Sequence, residues 1–127
     1  MNLRQVNLEV RVMEPIETRI AKFRYVMKTF VRKWTVEIMY CLYTNDTMRF
    51  SELMQMLGGI SSRTLSDRLK QLGDLGLVDR DVVPDKPVKI NYSLTPAGKK
   101  LGERAYVCFN NLIDAWDEVM SDEEDRE

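Results

Sequence analysis

Two adjacent glycines, Gly58 and Gly59, separate two short amphipathic segments, and this break constrains the fold more than any other feature of the chain. Before it, Met48-Arg49-Phe50 reads as a short extended piece, and Ser51 as the N-cap of a helix over residues 52–57. After it, Ile60 leads to Ser61 and Ser62, either of which can cap a second helix running to about Leu75. That helix carries Leu65, Leu69 and Leu72 at i, i+4 and i+7, a single stripe for burial. Gly76 then stands where a left-handed C′ residue ends a helix without steric cost. A short helix, a glycine turn and a second helix with a serine start form a helix-turn-helix arrangement.

The flanks extend this unit. Residues 77–83 and 88–94 read as two strands joined by the turn Pro84-Asp85-Lys86-Pro87. In the second strand Val88, Ile90, Tyr92 and Leu94 alternate with Lys89, Asn91 and Ser93. A hairpin directly after a recognition helix is a wing. Thr95 caps a last long helix with Pro96 in its first turn. Upstream, a helix over about residues 35–43 puts Trp34, Ile38, Cys41 and Leu42 on one face, and Asn45-Asp46 ends it. From Pro15, the residues Ile16, Ile20, Phe23, Met27 and Phe30 follow at helical spacing, with Arg19, Lys22, Arg24 and Lys28 on the opposite side. Val6, Leu8, Val10 and Val12 alternate and predict a strand over residues 6–12. The expected class is mainly α with a small β-hairpin: a winged helix-turn-helix domain over residues 15–120, including terminal dimerisation helices. An N-terminal strand extension (residues 1–14) precedes it and an acidic tail (residues 121–127) follows.

Charge and residue types narrow the function. The net charge of −1 conceals an asymmetry. Residues 114–127 hold eight acids and one arginine, whereas residues 1–113 hold 18 basic and 12 acidic side chains. A basic body with an acidic end fits a polyanionic partner. The chain has no histidine, which removes His-based acid–base catalysis, Ser/His or Cys/His nucleophiles and His-containing zinc sites. Cys41 and Cys108 form no CxxC pair, and both fall on apolar faces, where buried thiols acting as small hydrophobes are expected. No phosphate loop, metal cluster or carboxylate pair stands out, so no cofactor is expected. No apolar run reaches the roughly 20 residues of a membrane span, and the alternating start does not read as a signal peptide. A cytoplasmic location is expected.

Four pieces of the sequence then combine. They are Lys33-Trp34-Thr35 opening a helix; Arg49-Phe50-Ser51-Glu52-Leu53; Ile60-Ser61 through Leu72 with Gly76-Leu77-Val78; and Tyr92-Ser93-Leu94-Thr95. In this order and spacing the chain resembles the HxlR family of bacterial and archaeal regulators over roughly residues 31–101. The resemblance implies a winged-helix fold, a homodimer built by the terminal helices and operator binding. Many relatives carry a cysteine about a dozen residues before the Lys-Trp pair, and some use it to sense oxidants or electrophiles. Here that position falls near Ala21, so sensing at that site is not implied.

Candidate DNA-binding residues follow from the helix over 62–75. Arg63, Asp67 and Lys70 fall opposite the leucine stripe, with Thr64 and Ser66 flanking them. Arg suits guanine, Asp a cytosine amino group, and Ser and Thr several partners in a major groove. The Ser61/Ser62 end offers backbone N–H groups to a phosphate. Arg68 lies beside the buried stripe, which suits a structural salt bridge or a phosphate contact more than base readout. In the wing, over residues 84–89, Lys86 and Lys89 suit phosphates, and Arg80 does the same or pairs with Asp79 or Asp81.

Candidate dimer residues are Ile16, Ile20, Phe23 and Met27 on the first helix. On the last they are Ala105, Cys108, Phe109, Leu112, Ile113 and Trp116. The last helix is apolar over too wide a face for a small domain to cover alone. Double-stranded DNA and a second copy of the chain are thus the expected partners, and a small-molecule effector stays open. The competing reading keeps the fold as a protein-interaction module without operator specificity.

Overall fold

The computed structural model describes residues 14–126, and the strand expected over residues 6–12 lies outside them. The chain divides into two units, residues 1–32 and 33–127.

In the first unit, α1 (Ile16–Thr29) begins after Pro15, without a side-chain cap, and buries none of its own residues. Glu14 forms ion pairs with Arg19 at 3.6 Å and with Lys22. The hydrogen bond from Lys22 holds the Glu14 carboxyl below its ordinary pKa, aided by the charge of Arg19.

The second unit runs α2 (Thr35–Thr44), β1 (Met48–Arg49), α3 (Phe50–Leu57), α4 (Ser62–Asp74), β2 (Val78–Val83), β3 (Lys89–Leu94) and α5 (Pro96–Glu124). The strands form one antiparallel sheet in the order β1-β3-β2. Ile38 and Met39 of α2, Leu53 of α3, and Leu65 and Leu72 of α4 are fully buried at its centre, with Met48, Val78, Tyr92 and Leu94 closing the sheet side. Burying side chains of this size stabilises by about 1.5–3 kcal/mol each, and here three helices share one small sheet to achieve it.

Two boundaries depart from expectation. Helix α3 starts at Phe50, and Ser51 lies in its first turn rather than capping it. Arg49 holds extended angles (φ −83°, ψ 160°) because it pairs with Asn91 across β1–β3, and the chain turns helical directly afterwards. Val88 was expected on the inner face of a strand, yet β3 begins at Lys89 and Val88 is 61% exposed. Val88 lies beyond the last strand pair, Val83 with Lys89, where alternation has nothing to be buried against.

The end of α4 fixes the start of the wing. The Leu77 N–H donates to the Leu72 carbonyl and the Gly76 N–H to the Gly73 carbonyl, with Gly76 left-handed at φ 73°. This is the Schellman arrangement, and it occupies Leu77, so β2 begins one residue later than the sequence suggests. The Leu77 carbonyl in turn accepts from the Thr95 N–H at 3.0 Å. The Thr95 hydroxyl donates to the Gly76 carbonyl at 2.6 Å and accepts from the Gly98 N–H at 3.0 Å, capping α5. A side chain at Gly98 would place its Cβ 2.0 Å from the Leu77 carbonyl oxygen, so the close approach requires glycine. Recognition helix, wing and last helix are thereby tied at one corner.

The 29-residue α5 is about 43 Å long at 1.5 Å per residue. Its first half packs on α2. The Tyr106 ring meets those of Tyr40 and Tyr43 at 5.2 and 5.1 Å, and the Tyr40 hydroxyl donates to Asn110 at 3.3 Å. The helix continues through the acidic residues to Glu124. No helix among the described residues is long and apolar enough to cross a membrane.

Candidate nucleic-acid interface

Helix α4 owes its orientation to its leucines. Leu65, Leu69 and Leu72 are at most 4% exposed, so the opposite side must face outward. Arg63, Ser66, Asp67 and Lys70 are all exposed there, and Thr64 is half-buried. Among the described residues neither Arg63, Asp67 nor Lys70 enters an ion pair, so their polar atoms are available to a partner.

The N-terminus of α4 is preorganised. Ser61 holds extended angles, its hydroxyl accepts from the Thr64 N–H at 3.1 Å, and the same hydroxyl donates to Thr64 Oγ1 at 2.8 Å. Ser61 is therefore the cap, and Ser62 the first helical residue. One of the four orphan N–H groups of the first turn is satisfied, and those of Ser62 and Arg63 precede it. The helix dipole adds partial positive charge at this end. Gly58 and Gly59, both at positive φ (50° and 91°), make the turn that sets α4 against α3.

Arg68 is half-buried, and its Nε donates to the backbone carbonyl of Lys33 at 3.0 Å. Its place beside the leucine stripe thus has a structural partner, a carbonyl rather than the carboxylate a salt bridge requires. That carbonyl precedes Trp34, which adopts a left-handed backbone (φ 78°), with Lys33 Nζ 5.5 Å from the indole centroid. The Trp34 N–H donates to the Glu37 carboxylate at 3.1 Å. A non-glycine residue in this region is costly, and these contacts offset the cost at the start of α2.

In the wing, Lys86 is exposed at the tip. Lys89 is half-buried and pairs with Asp85 at 3.4 Å, which cancels part of its field. Arg80 is exposed and pairs with neither Asp79 nor Asp81, which strand alternation turns to the other face of β2. Arg80 instead lies opposite Tyr92 and lines a cleft between α4 and the sheet. Tyr92 was not among the candidate site residues; its alternation marked it as core, which its ring is.

The candidate dimer residues fare differently from α4. Ile16, Ile20, Phe23 and Met27 are 42–66% exposed, and Leu112, Ile113 and Trp116 are 52–63% exposed. Ala105 and Phe109, nearer α2, are half-buried. The expectation that both thiols are buried needs correction at Cys108, which is exposed, because no described residue of its own unit covers that side of α5; Cys41 is buried. Burial raises the Cys41 pKa, and the charge of Glu37 raises it further, which keeps the thiol protonated and unreactive.

A helix-turn-helix followed by a β-hairpin, with a third strand from the segment before α3, defines a winged helix-turn-helix protein. The HxlR-like helix-turn-helix model matches residues 30–121, and the chain belongs to that family. It is 42% identical over 80 residues, 63% of this chain and 73% of the other, to the uncharacterized HTH-type transcriptional regulator YvaP of Bacillus subtilis. It is 31% identical over 102 residues, 80% of this chain and 74% of the other, to the uncharacterized HTH-type transcriptional regulator sll1512 of Synechocystis. Among solved structures, the ytfH protein of Salmonella typhimurium superposes with a TM-score of 0.68 at 30% identity, covering 80% of this chain and 89% of that one.

Proposed function

We propose that this protein is a transcriptional regulator that binds duplex DNA sequence-specifically as a homodimer, with α4 in the major groove and the wing on the backbone. The observation that carries the reading is the outward face of α4. Arg63, Ser66, Asp67 and Lys70 are exposed and, among the described residues, free of ion pairs on a helix whose other side is locked by three leucines. A rigid helix with an outward polar face beside a hairpin that carries Arg80, Lys86 and Lys89 is the equipment for groove readout. Family membership supports it, since the relatives are HTH-type transcriptional regulators. Ser61, Ser62 and Thr64 place the helix start near a phosphate, and Lys86, Lys89 and Arg80 supply backbone contacts. The bare apolar faces of α1 and the distal half of α5 belong to the seam between two copies. Residues 1–14 act as an extension to this domain of residues 15–120. The acidic residues 121–127 stay off the DNA by like charge.

The test separates reading from positioning. Arg63→Ala should weaken binding by about 1–3 kcal/mol and relax preference at one position per half-site. Lys86→Ala should weaken all duplexes nearly equally and lower the log–log salt slope by about one per subunit. Lys89→Ala should do the same more weakly, because Asp85 already compensates that charge. Affinities for single-base variants of a selected site, measured across a salt series, decide it. Uniform weakening by Arg63→Ala together with altered preference in Lys86→Ala would reverse the assignment.

A further inference from the structure

Between α4 and the wing lies a cleft of about 420 Å³, lined by Ser66, Lys70 and Asp74 of α4 and by Arg80 and Tyr92 of the sheet. Tyr92 is only 8% exposed on the central strand β3, where Met48 of β1 and Arg80 of β2 are its cross-strand partners. No hydrogen bond to its hydroxyl is found among the described residues. The ring is buried but the hydroxyl keeps contact with solvent, and packing alone would be served by phenylalanine. Two cations line this cleft with a single acid, Asp74, so the lining carries a net positive charge. Asp79 and Asp81 alternate onto the far face of β2.

We propose that this cleft seats a phosphate of the DNA backbone, with the Tyr92 hydroxyl and the Lys70 and Arg80 cations as its ligands. The inference rests on the DNA-binding reading above and adds a residue and a contact class to it. A phosphodiester is anionic and only accepts hydrogen bonds, which matches two cations and a hydroxyl donor. The cleft adjoins the outward face of α4 through Lys70 and the wing through Arg80, so a strand passing from the groove read by α4 to the wing tip crosses it. The ring is pinned by the core, so the hydroxyl needs no ordering when the phosphate arrives.

The experiment uses the full chain and a duplex selected by the wild-type protein. Tyr92→Phe should bind roughly tenfold more weakly, since a hydrogen bond to a charged group is lost. The loss should be equal for all base variants, with the salt slope unchanged, because no charge is removed. Arg80→Ala should weaken binding and lower the slope by about one per subunit. Replacing single phosphates by neutral methylphosphonates should reveal one position per half-site at which wild-type and Tyr92→Phe proteins bind alike. Wild-type binding that Tyr92→Phe leaves unchanged, or no methylphosphonate position that removes the difference, overturns the proposal while leaving the DNA-binding reading intact. A wild-type protein with no affinity for any duplex overturns that reading instead. Inorganic phosphate stabilising the wild-type protein but not Tyr92→Phe, without any effect of the mutation on DNA binding, would assign the cleft to a free anion and also overturn it. Should Tyr92→Phe fail to fold, the exposed Lys70 keeps the test decisive: Lys70→Ala that weakens all base variants equally and lowers the slope by about one per subunit supports the cleft phosphate, and altered base preference overturns it.

Discussion

Helix α4 and the distal half of α5 both carry strong apolar stripes, yet their stripes have opposite fates. In α4, Leu65, Leu69 and Leu72 are buried to within a few per cent. In α5 beyond Asn110, Leu112, Ile113, Trp116 and Val119 are all more than half exposed. Composition does not explain the difference, since both stripes are built of large apolar side chains at helical spacing. Position does: α4 packs on β2 with its leucines closed in, whereas α5 runs on beyond α2, the helix it packs on. A stripe closed within the unit orients a polar face for work, while an open stripe of this size calls for a partner.

The sharpest way to break this comparison is to put the same kind of insult on each stripe. Leu112→Asp, or Ile20→Asp on α1, should abolish self-association, read by sedimentation or light scattering; a stable wild-type monomer at micromolar concentration would remove the premise. Leu65→Ala should instead lower folding stability by about 2–5 kcal/mol, read by denaturant unfolding. If it costs under about 1 kcal/mol, the closed stripe is not closed. Next in size is the cap. Ser61→Ala should cost about 0.5–2 kcal/mol through the orphaned Thr64 N–H, and DNA affinity should fall with it, since the start of α4 frays. Smaller still is the thiol contrast. Cys108 should react with a maleimide in the dissociated chain and be protected on self-association, while the Cys41 thiol, its pKa raised by burial, should stay protected until the protein unfolds. The smallest effect concerns α1. The depressed Glu14 pKa adds stability that is present above the ordinary carboxylate pKa and lost as pH falls through the lowered value. Glu14→Gln should flatten the acid limb slightly.

Much of this was legible in the sequence because local rules and tertiary packing agree. Gly58-Gly59, the leucine stripe, Gly76, Thr95 and Pro96 each stand where they were read, and of the two serines open to the cap it is Ser61 that takes it. Elsewhere partners across space decide. Arg49 pairs with Asn91 and so pulls α3 forward, a contact 42 residues away in sequence. Val88 obeys strand alternation but hangs beyond the core. The Arg68–Lys33 bond and the Arg80–Tyr92 cleft are also long-range, and nothing in the local pattern announces them. Cys108 looked buried because its stripe is apolar, and a stripe does not reveal whether its cover lies in the same chain.

The central claim is that a dimer reads base sequence with α4. Selecting bound duplexes from a random pool tests it most directly. Enrichment of two half-sites related by a two-fold axis is expected, spaced by about one helical turn or a small multiple, with the enriched bases shifting at one position per half-site when Arg63 is replaced by Ala. Recovery of duplexes with no common sequence, at an affinity set by salt alone, would contradict it.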